Sequence, residues 1–112
     1  MAFETANQLQ GDSKTYAVSP EIKKFTLSDM GFVKTNAGNF QFERTLDPED
    51  PYNGIKLKIV FKSDLKTFKM STITANGLNK VNIFTNKNAD ALVEQFNFLM
   101  DNFVERKVFV RK

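Results

Sequence analysis

Lysines dominate the one stretch of this sequence whose residue types suggest a binding surface. Between residues 56 and 87 the chain has seven lysines and one acidic residue, Asp64, although its overall net charge is only +3. Such an excess of ammonium groups attracts anionic ligands, including nucleic acid. The candidate ligand or partner surface combines four of these lysines with one aromatic residue: Lys56, Lys58, Lys69, Lys80 and Phe84.

Catalytic chemistry is harder to place, because the sequence contains no histidine and no cysteine. These absences exclude imidazole bases, thiolate nucleophiles, disulfides, iron–sulfur ligation and imidazole ligands for transition metals. The densest carboxylate cluster is Asp47, Glu49 and Asp50, in a proline-containing loop that is either a plain connection or a cation site or acidic lid. Tyr16 and Tyr52 are possible proton donors, although a lone tyrosine is usually structural. We therefore predict no catalytic, metal-binding or cofactor-binding residue and lean towards a non-enzymatic protein.

The elements that must position the lysines are strands with a period of two. Apolar residues alternate with lysines over 55–62, and a similar alternation runs over 67–74. A loop at 63–66 sets Phe61 opposite Phe68, so the apolar sides of the two strands coincide. The shared buried face is predicted to contain Ile59, Phe61, Phe68, Met70 and Ile83.

An Asn-Gly pair at 76–77 is the strongest hairpin signal in the chain. A two-residue turn there sets Lys80 opposite Ile73 and Lys69 opposite Phe84. The turn therefore extends the meander by one strand and places these lysines on the face opposite the buried one. A slip of one residue would reverse every side chain, so this agreement between two turns tests the register.

Three interpretations of the lysine-rich face remain open. Lysines on a solvated sheet face commonly serve solubility and protect sheet edges. The same face is suited to contact an anionic small molecule or a protein. With Phe84 it also resembles platforms for single-stranded nucleic acid. Nucleic acid is the less favoured alternative, because only Arg44, Arg106 and Arg111 are arginines and planar recognition of phosphates and bases favours arginine.

The outer face also contains Val60, Ile73 and Phe84, which make it too apolar for full exposure to water. We expect the N-terminal strands, predicted over 3–8 and 14–18, to cover part of it as a second layer. Cover by another subunit is the alternative, and the sequence does not fix the oligomeric state.

The remaining elements complete an α+β pattern. An unbroken apolar stripe predicts a long helix over 89–105, of the width expected for a helix packed on a sheet. A proline after Ser19 predicts a short helix over 20–25, because the next four residues give no helical stripe. Further strands are predicted over 32–35, 40–46 and 108–110.

Together these elements predict one α+β domain over residues 1–112. Its architecture is an antiparallel β-meander and a second small sheet packed against a single long C-terminal helix. The first residues lack the basic and apolar regions of a signal peptide, and no apolar run is long enough to cross a membrane. We therefore expect a cytoplasmic protein with no membrane partner.

The whole chain resembles a small uncharacterised family, a domain of unknown function, from lactic acid bacteria. The segment 69–73, the Asn-Gly turn and the helical segment 92–103 contribute most to the resemblance. It implies an α+β fold in which two sheets pack against one helix, and a link to amino acid metabolism. It also implies a distant likeness to bacterial S-adenosylmethionine decarboxylases.

The chemistry of those decarboxylases does not transfer to this chain. They cleave themselves at a Glu-Ser bond and use His and Cys, whereas this sequence has no Glu-Ser pair, no His and no Cys. We therefore predict a non-enzymatic binding or regulatory domain for a small molecule or a protein, with a role in amino acid metabolism. Binding of single-stranded nucleic acid through the lysine-rich face is the alternative.

Overall fold

A computed structural model describes residues 3–47 and 54–112. It contains two antiparallel sheets, one short helix and one long helix. The elements in chain order are β1 (Ala6–Asn7), β2 (Tyr16–Val18), α1 (Lys24–Asp29), β3 (Val33–Lys34), β4 (Phe40–Thr45), β5 (Lys56–Phe61), β6 (Phe68–Ile73), α2 (Ala89–Glu105) and β7 (Phe109–Arg111). The α+β class and the two-sheet architecture predicted from the sequence are confirmed.

The larger sheet has the strand order β3-β4-β5-β6, and the register of its β5–β6 pair is the predicted one. Phe61 pairs with Phe68, and Ile59 pairs with Met70. All four side chains are buried, as is Ile83. Because side chains alternate along a strand, the lysines of β5 and β6 project from the opposite face.

The smaller sheet has the order β1-β2-β7 and lies on the helix side of the molecule. The ring of Tyr16 in β2 makes edge-on contacts with Phe96 of α2 and Phe109 of β7. Backbone hydrogen bonds of 2.9 Å in both directions between Glu4 and Phe68 join the N-terminal segment to the edge of the larger sheet. Strands β1 and β2 thus complete the core and do not form the predicted second layer over the lysine-rich face; of the segment predicted over 3–8, Phe3 contacts lysines of that face.

Helix α2 has the predicted bounds and buries its apolar stripe between the two sheets. Asp90 in its first turn suits the positive end of the helix dipole. Phe103 contacts the rings of Phe42 and Phe109, one from each sheet, with centroids 5.2 and 5.9 Å away. Edge-to-face pairs of this kind add about 0.5–1.5 kcal/mol each beyond the area they bury. The aromatic cluster therefore joins the helix and both sheets in one core.

The short helix predicted over 20–25 is wrong in position, since α1 spans Lys24–Asp29. Ser19 starts a turn instead, in which its hydroxyl accepts a hydrogen bond from the backbone N–H of Glu21 (3.1 Å). Leu27 is fully buried and Thr26 nearly so. Packing of these two residues against the core selects the helical segment, although the segment has no amphipathic pattern of its own.

Residues 82–88 form turns and not the predicted last strand of the meander. The hairpin register holds as far as Val81, whose backbone N–H donates to the carbonyl of Thr72 (2.8 Å). At the next residue the side chain of Asn82 accepts a hydrogen bond from the backbone N–H of Phe84 (2.9 Å). This local turn competes with the sheet ladder and directs the chain towards α2.

Candidate anion-binding cleft

Three lysines meet on the outer face of the larger sheet because two hairpins bring neighbouring strands into register. Lys58 of β5 is the cross-strand partner of Ser71 in β6, and Lys69 is the partner of Val60. The turn after β6 returns the chain so that Lys80 forms an isolated bridge with Ile73, as predicted. Lys58, Lys69 and Lys80 therefore come from three successive chain segments and project towards the same side.

These lysines surround a half-open cleft of about 220 Å³, which we term the lysine cleft. Its walls also include apolar residues of the sheet and residues 77–79 of the hairpin turn. The lining residues are Lys58, Val60, Lys69, Ser71, Ile73, Gly77, Leu78, Asn79 and Lys80. This volume lies below the roughly 300–1,000 Å³ of pockets for drug-sized molecules, so the cleft suits a small metabolite.

The turn at 74–79 forms one wall of the lysine cleft and is held by its own hydrogen bonds. Thr74 and Asn79 are joined by a backbone hydrogen bond of 2.9 Å. The side-chain oxygen of Asn76 accepts from the Thr74 hydroxyl (2.6 Å) and from the backbone N–H of Leu78 (3.0 Å). Gly77 adopts φ = 77°, a left-handed conformation that side chains other than those of Gly, Asn and Asp rarely tolerate. The sequence therefore fixes the shape of this wall locally.

The floor of the lysine cleft is apolar and shielded from water. Val60 and Ile73 face outward, yet they are only 5% and 8% exposed. The turn beside them and the aliphatic stems of the lysines provide intramolecular cover. Leu78, by contrast, is 80% exposed at the rim of the cleft, where the apolar part of a ligand would bury it.

Lys56 lies on the same face but is neutralised and does not line the cleft. Its ammonium group lies 3.5 Å from Oε1 of Glu43. The second carboxylate oxygen, Oε2, accepts a hydrogen bond of 2.7 Å from the side chain of Gln41. Within residues 3–47 and 54–112, Lys58, Lys69 and Lys80 have no carboxylate within ion-pair distance. Among the described residues, Glu43 is the carboxylate nearest to this group of lysines in the ladder, as the cross-strand neighbour of Lys58, and it pairs with Lys56.

The prediction that Phe84 lies on the lysine-rich face is wrong. Its half-buried ring packs edge-on against Phe96 of α2, with the centroids 6.4 Å apart. The reason is the turn at Asn82, which ends the strand before Phe84 can pair with Lys69. Sequence reasoning missed Phe3 as the aromatic residue of this face: Lys62 and Lys69 place their ammonium nitrogens 4.7 and 4.8 Å from its ring centroid.

Ser71, Leu78 and Asn79 also line the cleft and were not predicted as site residues. Ser71 was identifiable from the alternation that places Lys69 outward, since residues two apart share a face. Leu78 and Asn79 belong to the hairpin turn, and sequence rules specify its backbone but not the direction in which it leans.

Other candidate chemistry is not supported in the described part of the chain. Tyr16 is fully buried in the core, so its hydroxyl group is not accessible to donate a proton to a bound substrate. No group of three or more carboxylates capable of holding a metal ion occurs among the residues that the structure describes. Of the predicted acidic loop, Glu49, Asp50 and Tyr52 lie outside the described residues, and only Asp47 is placed.

A family model covers residues 1–110, almost the whole chain. The chain belongs to the DUF1831 family. The description of DUF1831 reads "Putative amino acid metabolism". The resemblance inferred from the hairpin and the long helix is thereby confirmed.

A solved DUF1831 structure supports the same assignment. The chain is similar to a DUF1831 family protein from Lactobacillus plantarum, known from its crystal structure, with 47% sequence identity and a TM-score of 0.92. The similarity covers 100% of this chain and 99% of the other. A comparison with curated proteins finds no match. In the described ranges, no helix of this DUF1831 protein has the length and apolar character needed to cross a membrane.

Proposed function

We propose that this protein is a non-enzymatic binding protein that holds a small anionic molecule in the lysine cleft and acts in amino acid metabolism. The proposal is supported chiefly by one observation. Within the described ranges, three lysines with no carboxylate partner surround a cleft with an apolar floor. Such a site offers charge to an anion and buried surface to its carbon skeleton.

The charge distribution favours a ligand over a purely structural role for these lysines. Elsewhere on the same sheet the protein neutralises a lysine with its own carboxylate, as Lys56 and Glu43 show. At the cleft Lys58, Lys69 and Lys80 have no carboxylate ion-pair partner among the described residues, and the ammonium group of Lys69 lies over the ring of Phe3. An anion that enters the cleft is attracted by these positive charges.

A small molecule suits the cleft better than single-stranded nucleic acid. Binding of nucleic acid by sheet platforms depends on aromatic rings open to stacking. Phe84, the aromatic residue expected there, packs on α2, and the half-buried ring of Phe3 already contacts two ammonium groups. The cleft volume of about 220 Å³ matches a small metabolite and not an extended strand.

The test is a thermal-shift and calorimetric titration of the full chain. The probes are inorganic phosphate, short-chain carboxylates, amino acids, S-adenosylmethionine and a 15-nucleotide oligo-dT. A molecule that binds only the folded state raises the melting temperature by mass action, equivalent to about 2.7 kcal/mol at 100 times its Kd. We expect small anions to raise the melting temperature in this way. The double variant Lys58→Met, Lys69→Met is expected to abolish the rise.

Two outcomes would contradict the proposal. One is the absence of a response to every small anion at millimolar concentration. The other is tight, steeply salt-dependent binding of oligo-dT alone, which would indicate counterion release from a nucleic acid. Lys66→Met, Lys87→Met together serve as the matched control, because this variant removes the same charge from exposed residues that do not line the cleft.

A further inference from the structure

The polar groups of the lysine cleft are unbalanced towards hydrogen-bond donors. The three ammonium groups donate and cannot accept. Among the described lining residues, the side-chain acceptors are the hydroxyl of Ser71 and the amide oxygen of Asn79. Within the described chain, the neighbouring carboxylate of Glu43 is already engaged by Lys56 and Gln41. A cation that entered the cleft would meet the like charges of the lysines, while no described carboxylate lines the cleft and Glu43, the cross-strand neighbour of Lys58, is paired with Lys56.

This imbalance discriminates between a free amino acid and its deaminated form. Both carry a carboxylate, which the lysines favour. The amino acid also carries an ammonium group two bonds away, which would lie beside Lys58, Lys69 and Lys80 and be repelled by them. A carbonyl oxygen at the same carbon would instead accept a hydrogen bond from an ammonium group, from Ser71 or from Asn79.

The apolar part of the lining indicates the shape of the carbon skeleton. Val60, Ile73 and Leu78 are all branched and aliphatic, and the described lining has no aromatic ring. The cleft volume of about 220 Å³ lies below that of pockets for drug-sized molecules and is compatible with a skeleton of five or six carbons. An aliphatic side chain of leucine size would cover the exposed rim at Leu78.

We propose that the lysine cleft binds short, branched aliphatic 2-oxo acids and selects them against the corresponding amino acids. This inference rests on the proposed function and specifies its ligand class. The carboxylate lies among the lysines, the 2-oxo oxygen accepts from the polar lining, and the branched chain packs over Val60 and Ile73. The site thus senses whether the 2-position carries an oxo group or an ammonium group.

The test compares 4-methyl-2-oxopentanoate with leucine by isothermal calorimetry, at equal ionic strength and neutral pH, on the full chain. We expect the 2-oxo acid to bind at least tenfold more tightly than leucine. We also expect 4-methylpentanoate, which lacks the oxo group, to lie between the two. Leucine binding as tightly as the 2-oxo acid would overturn the inference and leave the proposed function intact. If no small anion binds, inorganic phosphate included, the proposed function itself fails.

A charge reversal provides the sharper arm of the experiment. Lys80 is exposed at the rim, so Lys80→Glu supplies a carboxylate to the cleft without disturbing the core. We expect this variant to reduce the preference for the 2-oxo acid over leucine at least tenfold. Lys66→Glu is the matched control, because it changes the net charge equally at an exposed residue outside the lining and is expected to keep the preference. An equal preference ratio in the two variants would contradict the inference.

Discussion

Lys80 faces Ile73 across an isolated β-bridge just beyond the turn that follows β6. The bridge places Lys80 beside Lys58 and Lys69, which the pairing of β5 with β6 already aligns. It depends on the backbone of the single turn between Ile73 and Lys80. The conformation of that turn requires Gly77, whose φ is 77°. The position of Lys80 in the proposed site is therefore encoded locally, in the turn between Ile73 and Lys80.

Substitution of Gly77 is expected to destabilise the fold through backbone strain alone. A Cβ added at this position would meet no atom within 4 Å, so steric clash makes no contribution. The left-handed conformation costs an alanine about 1–2 kcal/mol, which corresponds to a fall in Tm of roughly 4–8 °C for a domain of this size. Urea denaturation and thermal melting measure this loss.

The size of the effect at Gly77 should follow conformational preference and not side-chain volume. We expect Gly77→Val to be the most damaging variant, followed by Gly77→Ala, and Gly77→Asn to be mildest, because asparagine tolerates the left-handed region. An asparagine variant as unstable as the valine variant would indicate that the turn has another requirement.

Removal of one cleft lysine is expected to weaken the binding of small anions while leaving stability unchanged. Lys58→Met keeps the aliphatic stem and deletes the charge, so Kd for phosphate or 4-methyl-2-oxopentanoate should rise about three- to tenfold, or about 0.7–1.4 kcal/mol. Lys66→Met is the matched control, since it removes the same charge from an exposed residue that does not line the cleft. Equal effects of the two variants on Kd would show that binding responds to the overall charge of the protein.

The sequence was sufficient to predict the register of the meander, and the reason is periodicity. Two independent turns placed Phe61, Phe68 and Met70 on the same side, and a slip of one residue would have exposed them all. Helix α2 was equally predictable, because its apolar stripe continues without a break from Leu92 to Val104. Long elements repeat their pattern, and so they carry redundant information.

The errors fall where a single side chain or a tertiary contact decides the structure. Asn82 accepts a hydrogen bond from the backbone N–H of Phe84 and ends the strand, an event that leaves no periodic signal. Helix α1 is selected by burial of Leu27, although the segment lacks an amphipathic pattern. The outward register of Lys58, Lys69 and Lys80 was therefore predictable, whereas the position of Phe84 was not.

The aromatic core should depend strongly on Phe61. This fully buried ring lies 5.4 Å, centroid to centroid, from both Phe68 and Phe109, and it joins the two sheets. Phe61→Ala is expected to lose about 3–5 kcal/mol of unfolding free energy, measured by urea denaturation. Phe98→Ala is the matched control: that ring is 58% exposed on α2, and its loss should change stability by less than about 0.5 kcal/mol.

A large loss of unfolding free energy in the Phe98→Ala variant would have a different meaning. It would show that the ring is covered in solution, for example by a second copy of the chain. Measurement of the Phe98→Ala effect at two protein concentrations separates the cases, because stability that depends on association changes with concentration.

Tyr16 offers a test in the opposite direction, since its substitution by phenylalanine is expected to stabilise the protein. The residue is fully buried, and within the described chain its hydroxyl group has no hydrogen-bond partner. A buried polar group without a partner costs about 1–3 kcal/mol, so Tyr16→Phe should raise the unfolding free energy by about 1 kcal/mol and keep the ring contacts with Phe96 and Phe109. Tyr16→Leu removes those contacts as well and should be destabilising. A Tyr16→Phe variant that melts below the parent protein would show that the hydroxyl is satisfied in solution, for example by a buried water molecule.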